Sequence, residues 1–131
     1  MTLQEIINKA GNNAEDKGFY DLFNQLKNIL MECKNNNNEK MISELLNFVN
    51  NQNICTNLML IVSELGEAVE HLRSGRLANI STWKETFEEE LADVLIRLAD
   101  LCFHYDIDIE KFIKLKMKYN EDRQILHGKK F

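Results

Sequence analysis

Proline is absent from this chain of 131 residues, and glycine occurs only five times. These two residues interrupt helices most effectively, so their scarcity favours long, uninterrupted helices. The apolar residues recur at helical spacing, and no strand-like alternation of useful length is found. The sequence therefore predicts an all-α fold, a helical bundle of five to six helices that forms one domain over residues 1–131.

Long apolar runs, paired cysteines and nucleophile motifs are also missing. The longest apolar run, residues 58–62, is too short to span a bilayer, and the N-terminus lacks the pattern of a signal peptide. The three cysteines are odd in number and form no Cys-x-x-Cys pair, which favours a reducing compartment. No serine or cysteine stands in a nucleophile motif, and no glycine-rich phosphate loop occurs. We expect a cytoplasmic protein without a membrane partner.

Charge is unevenly distributed along the chain. The net charge of −5 argues against nucleic acid as a partner. From residue 109 to residue 131, seven basic and three acidic residues give +4, which leaves −9 for the rest. An acidic body could bind a metal ion while a basic tail binds phosphate, or the tail could simply be a solvated basic helix.

Helix boundaries follow from capping residues and from breaks in the apolar pattern. Thr2 and Glu5 form a capping box, and Gly18 is placed to end the first helix. Thr82 with Glu85 is placed to cap the fifth helix. Asp108 is a candidate N-cap for a last helix. The helices are expected at residues 3–17, 22–33, 41–49, 56–73, 83–104 and from 109, with asparagine-rich breaks at 34–40 and 50–53.

Four carboxylates stand beside the apolar stripes of the fourth and fifth helices: Glu64, Glu67, Glu90 and Asp93. If these helices form an antiparallel hairpin, Glu67 and Glu90 both lie about 9–11 Å from the turn, at 1.5 Å per residue. Glu64 and Asp93 both lie about 14–15 Å from it. The two acidic pairs are therefore predicted to sit at matched heights, where they either face each other across a groove or point apart, depending on the hand of the hairpin.

Carboxylates at matched heights repel one another unless a cation lies between them. Oxygen ligands suit hard ions such as Mg²⁺ or Mn²⁺, so a metal site is one interpretation of the four acids. Solvated faces of two amphipathic helices are the other interpretation. Glu70 could replace Glu64 in the first pair, and Arg97 could simply neutralise Asp93 at i, i+4. A ferritin-like di-iron site is disfavoured because no histidine follows a glutamate by three residues.

The two acidic motifs also resemble a known family. Glu64-x-x-Glu67, 22 intervening residues and Glu90-x-x-Asp93 are similar to the signature of MazG-like all-α nucleoside triphosphate pyrophosphohydrolases. The segments LMLIVSELGEAVEHLR and EEELADVLIRLADLCFHYDIDIEK read like its central helices, and KMKYNEDR and HGKKF like its tail. NAEDKGFYD near the start is similar as well, whereas residues 22–57 carry no recognised motif.

The resemblance implies a reaction and a set of site residues. It implies hydrolysis of an NTP to NMP and pyrophosphate, with Mg²⁺ (or Mn²⁺) held by Glu64, Glu67, Glu90 and Asp93. It further implies that Lys116, Asn120 and Arg123 hold phosphate oxygens, and that the protein is a homodimer or homotetramer. A dUTP/dCTP-specific pyrophosphatase and a phosphoribosyl-ATP pyrophosphohydrolase stay open within this class. Outside it, the alternative is a non-catalytic helical interaction module. Phe19, Tyr20 and Trp83 could stack on a base or belong to the core.

Overall fold

The computed structural model describes residues 1–34, 39–79 and 81–121. All regular structure in these ranges is α-helical, which confirms the predicted all-α bundle. α3 and α4 form the central pair, since they pack against each other while α1 packs against α4 and α2 packs against α3. The helices are α1 (Leu3–Asp16), α2 (Asp21–Lys34), α3 (Glu39–Arg73), α4 (Phe87–His104) and α5 (Ile109–Glu121).

The predicted ends of α1 are confirmed. The Thr2 side chain accepts from the Glu5 amide at 3.2 Å, and the Thr2 amide donates to the Glu5 carboxylate at 2.7 Å. This reciprocal capping box satisfies two amides that would otherwise lack partners at the helix start. At the other end, Gly18 adopts a φ of +74°, a left-handed conformation that glycine reaches without a steric penalty.

The predicted break at residues 50–53 is wrong, because α3 continues through it as one helix of 35 residues. Asparagine lowers helix propensity by less than about 1 kcal/mol, unlike proline, so tertiary contacts can override it. One asparagine of this segment, Asn53, takes part in two hydrogen bonds that the helical conformation permits. The Asn53 amide donates to the Tyr105 hydroxyl at 2.8 Å, and the Asn57 amide donates to the Asn53 carbonyl at 2.9 Å.

The predicted start of α4 is four residues too early. Thr86, rather than Thr82, is the N-cap, and its hydroxyl accepts from the Glu89 amide at 3.3 Å. Glu85 has a φ of +54°, which is incompatible with a helix that began at residue 83. The Thr82 amide instead donates to the Asn79 side chain. The predicted cap of the last helix is confirmed, since the Asp108 carboxylate accepts from the Lys111 amide at 3.1 Å.

The core lies between α1 and α4 and is built from small and β-branched residues. Ile7, Ala10 and Ala99 are buried at its centre. Gly11 of α1 allows this helix to lie close to α4, because a Cβ atom at residue 11 would lie 2.1 Å from the ring of Phe103. Cys102 is buried as predicted, and all three cysteines are free.

Much of the apolar surface of α3 is not covered within a single chain. The residues of its apolar stripe that face solvent are spaced by four and three, as in a coiled-coil seam. Their exposed fractions lie between 43% and 55%, which is high for large aliphatic side chains. They are Leu58, Val62, Leu65, Val69 and Leu72. In the described ranges no helix is both long enough and apolar enough to cross a membrane.

Candidate functional site

The acidic residues meet between α3 and α4, which run antiparallel. Three cross-helix contacts fix this direction, because their positions rise along α3 as they fall along α4: Asn53 with Tyr105, Glu64 with Arg97, and His71 with Glu90. The register of these two antiparallel helices differs from the predicted one by one helical turn. Glu90 lies opposite His71 rather than Glu67, because α4 begins four residues later than predicted.

Three of the four predicted carboxylates converge despite this shift. Ligand oxygens of Glu64, Glu90 and Asp93 all lie within 4.8 Å of one another. We call these three residues the carboxylate cluster. Glu64 and Glu90 are only 8% and 7% exposed, so the cluster is not a solvated helix face. One side chain from α3 and two from α4 form it, and Glu90 and Asp93 share a face because they are three residues apart.

The remaining predicted acid, Glu67, lies at the edge of the cluster. It is exposed, and its charge is close enough to Glu90 to oppose ionisation of that carboxyl. Glu70, the alternative member of the first pair, is also exposed and contributes no ligand atom to the cluster. The geometry thus favours Glu64 over Glu70 as the partner of the α4 acids.

Arg97 neutralises part of the cluster, but through a different acid from the one predicted. Its Nε and Nη2 atoms lie 2.7 and 2.6 Å from the same oxygen, Oε1 of Glu64. The i, i+4 pairing with Asp93 does not form. Charge-assisted bonds of this length are among the strongest in proteins, so Glu64 is firmly held.

His71 is a cluster neighbour that the sequence analysis did not identify. Its Nε2 atom lies 3.1 Å from Oε1 of Glu90, and its side chain is 12% exposed. Its Nδ1 atom is buried and has no hydrogen-bond partner among the described residues. Helical spacing could have revealed it, since residue 71 follows Glu64 by seven positions and therefore shares its face.

Burial and like charge make the cluster electrostatically unfavourable. Desolvation is the main cause that raises the pKa of Glu90, and the adjacent Glu64 and Glu67 carboxyls raise it further. The hydrogen bond from His71 acts in the opposite direction. A cation between these oxygens would favour the ionised forms. The donor set consists entirely of carboxylate oxygens and fits Mg²⁺ or Mn²⁺, with room left for water and phosphate ligands.

Two cavities border the cluster at Asp93. The first has a volume of 320 Å³ and lies against α1, α3 and α4, with Asn13, Phe19, Asn57, Arg97 and Asp100 among its lining residues. The second has a volume of 450 Å³, and Trp83 and Lys84 line it. Both volumes fall within the range of about 300–1,000 Å³ that small-molecule sites occupy.

The aromatic residues separate into core and cavity positions. Tyr20 is only 3% exposed and belongs to the core, where its ring stacks on His104 at a centroid distance of 3.2 Å. Phe19 and Trp83 are 71% and 61% exposed and line the two cavities next to Asp93. Either exposed ring is therefore available to a ligand, whereas Tyr20 is not.

The predicted phosphate-binding residues are not brought to the cluster within the described part of one chain. Lys116 and Asn120 are exposed on α5 and make no hydrogen bond or ion pair with the carboxylates there. The Lys116 ammonium instead lies 4.7 Å from the centroid of the Tyr119 ring. Arg123, together with Lys129 and Lys130 of the predicted tail, lies outside the described residues.

Comparisons of the chain with models of known protein families, with curated proteins and with solved structures gave no match. Evidence for the function therefore comes from the residues and from their geometry.

Proposed function

We propose that this protein is a Mg²⁺-dependent nucleoside triphosphate pyrophosphohydrolase that converts an NTP or dNTP to the monophosphate and pyrophosphate. The observation that carries the proposal is the convergence of Glu64, Glu90 and Asp93 from two antiparallel helices in a buried, crowded cluster. Asp93 belongs both to the cluster and to two ligand-sized cavities, so a substrate bound in either cavity would meet the metal ligands. The sequence resemblance to the MazG-like family points to the same reaction.

The carboxylates would hold the divalent ion, with Glu67 as an additional ligand at the open edge. Bound there, Mg²⁺ would supply Lewis-acid stabilisation of the charge that develops on the phosphates. A carboxylate that is not fully engaged would orient a water molecule and accept its proton. The water oxygen forms a bond to the α-phosphorus, the bond between that phosphorus and the bridging oxygen breaks, and pyrophosphate leaves.

Basic residues of the tail would neutralise the rest of the triphosphate charge. Lys116, Asn120 and Arg123 recur at spacings of four and three, so a helix that continued through them would present them on one side. Arg123 could grip two phosphate oxygens at once, which a lysine cannot do. Because Lys116 and Asn120 do not touch the cluster of their own chain, the site we propose includes the tail of a second subunit.

We accordingly propose a homodimer or homotetramer, present in the cytoplasm. The support is the stripe Leu58, Val62, Leu65, Val69 and Leu72, which a single chain leaves exposed. Burial of such side chains is worth about 1.5–3 kcal/mol each, so a second copy would be stabilised on this face. In analytical ultracentrifugation at micromolar concentration we expect a dimer or larger species. A fully active monomer would refute a site shared between subunits.

The decisive experiment is a panel of NTPs and dNTPs incubated with the purified protein and Mg²⁺. We expect release of pyrophosphate and the monophosphate from at least one substrate, with EDTA abolishing the reaction. For substitutions of the cluster acids, Glu44→Gln is a matched control that should keep full activity, because Glu44 is an exposed acid of α3 outside the cluster. The panel includes dUTP, dCTP and phosphoribosyl-ATP, which distinguishes the narrower activities within this enzyme class.

A non-catalytic interaction module is the second candidate function. The exposed stripe of α3 favours it, because such a surface serves dimerisation equally well in a protein without activity. An oligomer that binds no divalent metal ion and hydrolyses none of the panel would establish this alternative.

A further inference from the structure

Arg97 occupies the place of a cation in the carboxylate cluster. Two of its nitrogen atoms lie 2.7 and 2.6 Å from Oε1 of Glu64, and Glu64 is a buried residue whose oxygens come within 4.8 Å of those of Glu90 and Asp93. A guanidinium stays protonated under all physiological conditions, so this positive charge is permanent. Arg97 therefore neutralises Glu64, the α3 member of the cluster, when no metal ion is bound.

Arg97 is also placed to leave the cluster. Its side chain remains 38% exposed, whereas that of Glu64 is 11% exposed. It lines the 320 Å³ cavity that Asp93 also borders. The side chain of Arg97 thus already borders the space that a ligand beside Asp93 would occupy.

We propose that Arg97 is a placeholder cation, which a divalent metal ion displaces from Glu64 and which then binds a phosphate oxygen of the substrate in the cavity next to Asp93. The inference rests on the proposed function, because it assumes that the cluster holds a metal ion and that a phosphate compound reacts there. Arg97 would then be a substrate-positioning residue that lies outside both the acidic motifs and the basic tail.

Electrostatics gives the reason for the exchange. A doubly charged ion at the cluster satisfies the acids more strongly than one guanidinium, and it repels a neighbouring positive charge at short range. The released guanidinium needs an anionic partner, because a charge left in a partly buried position without one is unfavourable. A triphosphate supplies that partner, and a planar guanidinium can bind two of its oxygens. Metal binding would thus prepare the cavity for the substrate.

The test measures Mn²⁺ affinity of the full chain without substrate, by titration calorimetry, for the wild type, Arg97→Gln and Arg97→Lys. If Arg97 competes with the metal, Arg97→Gln should bind Mn²⁺ about 10-fold more tightly, because the ion no longer has to displace a positive charge from Glu64. Arg97→Lys keeps the charge but loses the two-atom grip on Glu64, so it should bind Mn²⁺ with intermediate affinity. Lys114→Gln removes an exposed ion pair with Glu110 on α5, away from the carboxylate cluster, and should leave the affinity unchanged.

Steady-state kinetics with the substrate found in the nucleotide panel test whether Arg97 binds a phosphate oxygen. Arg97→Gln should lower kcat/KM by about 10- to 100-fold, mainly through KM, although its metal affinity rises. If the Arg97–Glu64 ion pair were purely structural, its loss would not be expected to raise the Mn²⁺ affinity while it lowered kcat/KM. Circular dichroism checks the helical fold of each variant, and if Arg97→Gln is unfolded, Arg97→Lys carries both measurements.

Several results would overturn the inference. Unchanged or weaker Mn²⁺ affinity in a folded Arg97→Gln would show that Arg97 only stabilises the helix pair, while the proposed function would stand. Tighter Mn²⁺ binding with unchanged kcat/KM would remove the phosphate role. Absence of Mn²⁺ binding by the wild type would instead refute the metal site of the proposed function, and the placeholder role with it.

Discussion

The two halves of α4 carry buried acids in contrasting environments. In the N-terminal half, Glu90 and Asp93 lie close to Glu64 of α3. Arg97 pairs with Glu64, and His71 pairs with Glu90. We call the C-terminal counterpart, formed by Tyr20, Asp100 and His104, the tyrosine cluster.

In the tyrosine cluster the Asp100 carboxylate has one hydrogen-bond donor, while its Oδ1 atom and Nδ1 of His104, 3.6 Å apart, have no hydrogen-bond partner among the described residues. The Tyr20 hydroxyl donates to Asp100 at 3.0 Å, and its ring stacks on His104. Burial and the neighbouring Asp100 raise the pKa of Tyr20, so its hydroxyl stays a donor. Burial raises the pKa of Asp100 as it raises the pKa of Glu90, so burial alone does not distinguish the two clusters. The number of acids distinguishes them, because the tyrosine cluster has one carboxylate beside a hydroxyl donor, whereas three carboxylates meet in the carboxylate cluster and repel one another unless a cation lies between them.

The largest expected effect concerns activity and should appear only at the carboxylate cluster. Glu90→Gln and Glu67→Gln each remove a negative charge while keeping the side-chain size, so we expect kcat/KM to fall by at least about 10²–10³-fold with the helical fold intact. Pyrophosphate release and circular dichroism measure the two properties. Retained turnover in either variant would contradict the assignment of that residue.

The next effect concerns the tail. Arg123→Ala should lower kcat/KM by about 10- to 100-fold, because one charge-assisted bond to phosphate contributes roughly 1.5–3 kcal/mol. Arg123→Lys should recover only part of this loss, since a point charge cannot bind two oxygens. Truncation after Gly128 should have a smaller effect. Unchanged kcat/KM in Arg123→Ala at low salt would exclude a phosphate contact.

A matching substitution in the tyrosine cluster should affect stability and spare catalysis. Tyr20→Phe removes the hydroxyl that donates to Asp100, and loss of a hydrogen bond to a charged, part-buried group should lower the free energy of unfolding by about 1.5–3 kcal/mol. Urea denaturation measures this change. If kcat/KM in the folded variant fell as far as in Glu90→Gln, the distinction between the two clusters would be lost.

Glu90→Gln should have the opposite effect on stability in metal-free buffer. The pKa of Glu90 is raised in the folded state, mainly by burial, so its contribution to stability is present below its unfolded pKa and lost as the pH rises through the folded pKa. At neutral pH the charged form therefore destabilises the protein. We expect Tm of the variant to rise by about 2–4 °C, which corresponds to about 1 kcal/mol. A lower Tm than that of the wild type in EDTA would contradict the idea of crowded charges.

The smallest effect is a pH dependence centred on His104. Burial lowers its pKa from the ordinary value of 6.5, against the attraction of Asp100 and Glu15 and together with repulsion from Lys27. A base with a lowered folded pKa contributes stability that is present above its unfolded pKa and lost as the pH falls through the folded pKa.

Between pH 7 and pH 5.5 the contribution of His104 to the free energy of unfolding should therefore fall, by no more than about 1.4 kcal/mol per pH unit from one proton. In urea titrations at each pH, the difference in the free energy of unfolding between the wild type and His104→Gln should accordingly change across this range, to the disadvantage of the wild type as the pH falls. Parallel profiles for the two proteins would rule out His104 as the source of the dependence.

The amino-acid sequence was enough to predict the helical class, most helix ends and, among four predicted acids, the three that cluster. These features depend on neighbours along the chain. The capping box of Thr2 and Glu5 joins residues three apart, and so does the pair Glu90 and Asp93, which a helix places on one face whatever packs against it. The absence of proline likewise foretold long helices, of which α3 with 35 residues is the extreme case.

Only the tertiary structure decided the register of α3 against α4, the partner of Arg97 and the role of His71. The register depends on where α4 starts, and this start is fixed by Thr86 and by the left-handed Glu85 in a loop without a strong sequence signal. Arg97 had an acid within reach on its own helix and pairs instead with Glu64, 33 residues away, because the packing of the two helices brings that buried carboxylate closer. The free energy of contacts between distant segments is the sum of many weak packing interactions. A short stretch of sequence therefore does not show which of these contacts forms.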